Sequence, residues 1–136
     1  RDIRRYVGDI EEVLVRALAE LSIEARHHPK HRGVWVGSRK IASLGIRISR
    51  WVTSHGFALN VSTDLSYFSL IVPCGIAGCA MTSIEQELGR PVEMGAVKEL
   101  VARSFSGVFG REVVPASPGA AGSARAPLET REARNA

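Results

Sequence analysis

The apolar residues of this chain change their spacing at about residue 33 and again beyond residue 62, and that limits the folds open to it. Over residues 2–22, Ile3, Tyr6, Val7, Ile10, Val13, Leu14, Ala17, Leu18 and Leu21 recur at intervals of three and four, the stripe of an amphipathic helix. Asp2 is the expected N-cap, and Arg4, Arg5, Glu11, Glu12, Arg16 and Glu20 fall on the wet face. Residues 23–32 have no period and read as a loop. "GVWVGSRKIASLGIRIS" (33–49) then reads as a β-hairpin turning at Gly37-Ser38, with Arg39 and Lys40 opening its second strand. A third strand follows over 52–62. Gly45 and Gly56 interrupt these strands, which often marks a bulge or a place where a ligand or another backbone comes close.

The rest of the chain alternates short elements. Asp64 caps a helical turn, and Leu70–Val72 reads as a short apolar strand. "TSIE" (82–85) has the form of a capping box between Thr82 and Glu85, opening a helix that stops at Gly89 and Pro91. A last helix is expected from Met94 to Phe109, burying Met94, Val97, Val101, Phe105 and Val108. Residues 1–112 thus make one domain. Residues 113–136, rich in Ala, Gly, Pro and Arg, hold too little apolar surface to fold and read as a disordered tail. The fold class is α+β, a two-layer arrangement of a mixed sheet flanked by helices.

The chemistry centres on "SLIVPCGIAGCAMTS" (69–83), where Cys74 follows a proline and precedes a glycine. A lone cysteine is by default a small buried hydrophobe. A nucleophile needs a partner that favours its thiolate, because a free thiol with a pKa of about 8.5 is only a few per cent ionised at pH 7. By residue type the best candidate is Lys40, set in an otherwise apolar strand. It is either a strand-end residue reaching water or a placed charge.

Other chemistries are less well supplied. Two cysteines with no export signal argue against a disulfide framework. His27, His28 and His31 in "HHPKH" could join a cysteine around a metal, but histidines packed this closely around a proline rarely converge, so a polar loop is the expected reading and no metal is. With 18 Lys+Arg against 14 Asp+Glu the net charge is +4, enough to steer an acidic partner. Only 6% of residues are aromatic and none alternates with basic residues, so a nucleic-acid partner is not expected. No apolar run approaches the roughly 20 residues that span a bilayer. The expected location is the cytoplasm, away from membranes.

Four stretches resemble the lipoyl (octanoyl) transferase family, the LipB-type enzymes of lipoate biosynthesis. They are "GVWV" (33–36), "RKIASLGIRISRWVTSHGFALNVSTDL" (39–65), "FSLIVPCGIAG" (68–78) and "TSIEQELG" (82–89), in order and with 34 residues from Lys40 to Cys74. The resemblance implies a biotin/lipoate protein ligase-like (class II synthetase-like) domain. It implies that Cys74 takes octanoyl from octanoyl-acyl carrier protein as a thioester, and that a lysine of a lipoyl domain then accepts it as an amide. The acceptors it implies are the lipoyl domains of 2-oxoacid dehydrogenases and the glycine cleavage H protein. Lys40 would lower the Cys74 pKa and act as general acid and base. Ser43, Leu44 and Gly45, with Gly56, Phe57 and Ala58, would hold the acyl chain. No cofactor is implied. His55, beside the second segment, and Cys79, outside the motif, are read as structural.

Nothing in the chain matches the family's N-terminal Arg-Gly-Gly run and Thr-x-His-Gly-Pro-Gly-Gln motif, so the expected domain is N-terminally incomplete. The alternative reading is therefore a catalytically incomplete fragment or pseudoenzyme that acts only as a binding module for acyl carrier protein or lipoyl domains. A related ligase, which activates a free acid with ATP, fits less well. It needs no cysteine nucleophile, and no phosphate-cradling glycine loop is present.

Overall fold

A computed structural model describes residues 2–114, without the side chain of His55; the tail expected over 113–136 lies almost wholly outside the described residues. Helix α1 (Ile3–Ala19) begins at Asp2, whose Oδ1 accepts from Arg5 N at 3.1 Å. It stops three residues sooner than its apolar stripe predicts. Ser22 adopts a left-handed backbone (φ 61°), and Ile23 N reaches back to Leu18 O at 3.0 Å. The buried face is Ile10, Val13, Leu14, Ala17 and Leu18, as the spacing predicts, but it also contains Glu11. Glu11 was expected on the wet face; it is 4% exposed.

Four strands follow, β1 (Ala25–His27), β2 (Val34–Val36), β3 (Arg39–Ser49) and β4 (Val52–Leu59), each antiparallel to the next in a sheet of order β1-β2-β3-β4. Strand β1 lies inside the expected loop. Three residues are too few to show a period, and it forms because β2 offers Val36, Trp35 and Val34 as partners. The β2–β3 turn falls at Gly37-Ser38 as expected. Strands β3 and β4 pair without interruption from Ala42–Leu59 to Ser49–Val52, so neither Gly45 nor Gly56 makes a bulge; they face each other in register. The two-residue turn between them places Arg50 and Trp51 at positive φ (50° and 65°), the twist a tight hairpin requires.

The second half corrects three expectations. Leu70–Val72 is not a strand: a 3-10 helix runs Leu65–Leu70, capped by Asp64, and Leu70, Ile71 and Val72 are exposed. The Ser66 groups hydrogen-bonded to Asp64 hold that carboxyl below the usual aspartate range. The N-cap of α2 (Ile84–Leu88) is Ser83, which accepts from Gln86 N at 3.2 Å, one residue past the expected box. Thr82 instead bonds Glu87 through its hydroxyl. Helix α3 (Met94–Phe109) has the expected bounds, but Met94 is 46% exposed and burial falls on Val97 and Ser104. One core joins Leu14 and Leu18 of α1, Val34, Ile41 and Ala42 of the sheet, Val61, Ile84 of α2 and Val97 of α3.

Candidate active site

Lys40 lies at the start of β3, opposite Trp35 across the β2–β3 pairing. Its backbone also makes a parallel bridge to the segment after the cysteines. Lys40 N donates to Ala80 O at 2.8 Å, and Thr82 N donates to Lys40 O at 2.9 Å. The same segment is tied to the end of β4. Asn60 Nδ2 donates to Thr82 O (3.0 Å), Ile84 N to Asn60 O (3.0 Å), and Glu85 N to Val61 O (3.0 Å). Arg39 donates from Nε and Nη2 to the Glu87 carboxylate of α2, at 2.9–3.1 Å. These bonds carry the Cys74 loop back to β3, 34 residues earlier in sequence.

The result is a direct contact, with Lys40 Nζ donating to Cys74 Sγ at 3.2 Å. Lys40 is 1% exposed, so it is not a strand-end residue reaching water. A buried ammonium costs several kcal/mol unless it is paired. Here the sulfur faces it, and the Trp35 ring lies 5.6 Å from Nζ, within cation–π range. Cys74 Sγ also stands 3.9 Å from Ser43 Oγ.

Cys74 itself is exposed and adopts a left-handed backbone (φ 54°, ψ 23°), a conformation costing about 1–2 kcal/mol for a residue with a Cβ. Pro73 is buried at the start of this turn, and Gly75 N and Ile76 N bond back to Val72 O and Pro73 O at 3.1 and 3.0 Å. Strain of this kind concentrates where a side chain must be presented in one direction. Neither the strain nor the burial of Lys40 can be read from residue type.

Ser43, Leu44, Gly45, Gly56, Phe57 and Ala58 form three cross-strand pairs and together line one depression of about 350 Å³. That is at the small end of the roughly 300–1,000 Å³ typical of ligand pockets. A methyl group added at Gly45 or Gly56 would meet nothing within 4 Å, so the space above the pair is open. Phe57 also lines an adjoining apolar groove of about 260 Å³ against α3, with Leu59, Val97 and Val101.

Gly33 was missed as a site residue. Its φ of +120° is one that residues with a side chain rarely adopt. A methyl there would lie 2.5 Å from Ala42 O, 2.5 Å from Lys40 Cε and 3.2 Å from Lys40 Nζ. Its bare Cα is therefore the wall against which the end of Lys40 rests. Gly33→Ala should cost about 3 kcal/mol or more, adding strain to overpacking against backbone, and lower Tm by about 10 °C or more. A thermal melt within a few degrees of the parent would disprove this.

Cys79 is half-buried. Burial pushes its thiol above the ordinary range, with Lys40 opposing and Cys74 adding to the effect. Cys79 therefore keeps its proton at neutral pH. In a Cys74→Ser variant, where burial still acts, the remaining thiol should alkylate at pH 8 at least about fivefold slower than a free thiol. Labelling at the free-thiol rate would contradict it.

His27 turns to the carboxylates of α1, whereas His28 and His31 pack on each other and against Trp35. His27 lies 3.2 Å from Glu11 and 3.4 Å from Glu12, and His28 accepts from Lys30 N and His31 N at 3.1 Å each. His28 also stacks at 4.8 Å on both His31 and Trp35. Among the described residues no helix is long and apolar enough to cross a membrane.

A buried lysine thus lies on the sulfur of a strained, exposed cysteine, beside an open depression on the sheet. The family model "Lipoyl protein ligase A/B catalytic domain" matches residues 1–106, and the chain belongs to that family. It is 50% identical over 124 residues to an octanoyltransferase of Myxococcus xanthus, and 49% identical over 111 residues to one of Rubrobacter xylanophilus. Those matches take in 87% and 81% of this chain but 35% and 50% of the relatives, so the chain spans half their length or less. The fold also matches a crystal structure of lipoate-protein ligase A bound with ATP, with TM-score 0.66 and 21% identity, over 82% of this chain and 49% of that one.

Proposed function

We propose that this chain carries the catalytic pair of an octanoyltransferase of lipoate biosynthesis. The Cys74 thiolate attacks the carbonyl carbon of octanoyl-acyl carrier protein. The carbon–sulfur bond to the carrier breaks, and the carrier thiolate takes a proton from the Lys40 ammonium. Octanoyl is then a thioester on Cys74. The ε-amine of a lysine on a lipoyl domain attacks that thioester, Lys40 takes up the proton lost by the amine, and the Cys74 thiolate leaves. This is covalent catalysis by an activated nucleophile.

The observation that carries the reading is the 3.2 Å contact between the buried Lys40 ammonium and Cys74 Sγ. The trough of Ser43, Leu44, Gly45, Gly56, Phe57 and Ala58 supports it as the seat of a linear acyl chain. The +4 charge suits an acidic carrier. Two free cysteines fit a reducing setting, the cytoplasm.

The test is intact-protein mass spectrometry after mixing the chain with octanoyl-acyl carrier protein. A hydroxylamine-labile octanoyl adduct, passed on to an added lipoyl domain, is the expected result. No adduct on a folded sample would leave the binding-module alternative for these residues.

A further inference from the structure

Glu11 is buried on α1, yet none of the chemistry above uses it. Its Oε1 accepts from Gly33 N at 2.8 Å, across 22 residues of sequence. Its Oε2 faces His27 Nδ1 at 3.2 Å and Arg32 Nη1 at 3.5 Å. A carboxylate taken this far out of water is costly unless its lone pairs are filled, so these contacts hold the β1–β2 loop in one place. The residue it grips most closely is the one whose Cα backs the Lys40 side chain. The chain of contacts runs from Glu11 to the Gly33 amide, from the Gly33 Cα to Lys40, and from Lys40 Nζ to Cys74 Sγ.

We infer that Glu11 is a positioning residue for the catalytic lysine, fixing through the Gly33 N–H the wall that holds the Lys40 ammonium against Cys74. This rests on the reading that Lys40 keeps Cys74 reactive. A purely structural carboxylate would lower stability when changed but leave the cysteine's reactivity as it was in any variant that folds.

The experiment measures alkylation of Cys74 from pH 5 to 10 on the full chain in a Cys79→Ser background, with thermal melts alongside. Glu11→Gln keeps an oxygen for the Gly33 amide and should keep the parent profile even if Tm falls. Glu11→Asp keeps the charge but falls one methylene short, and it should lose about fivefold in rate at pH 7. Glu11→Ala should lose at least as much. Combined with Lys40→Met, neither change should lower the rate further, because all act through one ammonium. A folded Glu11→Asp with the parent profile would overturn the inference. So would a Glu11→Gln loss equal to that of Glu11→Asp, or failure of both Glu11→Asp and Glu11→Ala to fold, which would make the residue structural. Lys40→Met alone with an unchanged profile would instead sink the reading of Lys40.

Discussion

Cys74→Ser should abolish adduct formation with octanoyl-acyl carrier protein and lower acyl transfer by at least about a thousandfold, because a serine hydroxyl beside an ammonium has no base to ionise it. On the proposed reading the sulfur is activated by a neighbouring positive charge and not by a base, and a hydroxyl, far less acidic than a thiol, cannot be activated that way. The change should leave the fold intact. The thiol is exposed, and the left-handed backbone at residue 74 is set by the turn from Pro73 to Ile76. Cys79→Ser should keep most of the transfer, since burial holds that thiol neutral. Equal loss in the two variants would show that the wrong sulfur had been assigned, or that the two act together.

Lys40→Met is the second large effect. Methionine has nearly the length of lysine and no charge. With the ammonium no longer against Cys74 Sγ, alkylation of Cys74 at pH 7 should fall about tenfold. Acyl transfer should fall further, by roughly 10²–10⁴, because the general acid–base is lost as well. Stability should move the other way or hardly at all. Replacing a buried charged group with a well-packed apolar one is often neutral or stabilising, and the exposed Cys74 is not left as a buried unpaired charge. A variant with an unchanged or raised Tm and little activity would show a charge held for function at some cost to stability. A variant that unfolds while its residual folded fraction alkylates like the parent would remove Lys40 from the chemistry.

Much of the framework was legible in the chain. The three-and-four spacing of α1, the Asp2 cap, the Gly37-Ser38 turn and the bounds of α3 follow from local preference and period. The resemblance carried by "RKIASLGIRIS" and "FSLIVPCGIAG" singled out Lys40, Cys74 and six trough residues, and the fold brings each set together. Two short segments were not legible. Strand β1 exists because β2 pairs with it, whereas Leu70–Val72 pairs with no strand among the described residues.

What the sequence by itself determined is which groups are present and which stretches are helix or hairpin, because those depend on neighbours within a few residues. What only the tertiary structure decided is burial and contact. Glu11 sits among charged residues in sequence, yet it turns inward because the Gly33 amide, His27 and Arg32 meet it there. Lys40 could have reached water from the end of β3. It is enclosed because residues 80–82 bond to its own backbone and bring Cys74 over its ammonium. Both outcomes rest on contacts between residues 16 to 42 positions apart, and no local preference encodes them.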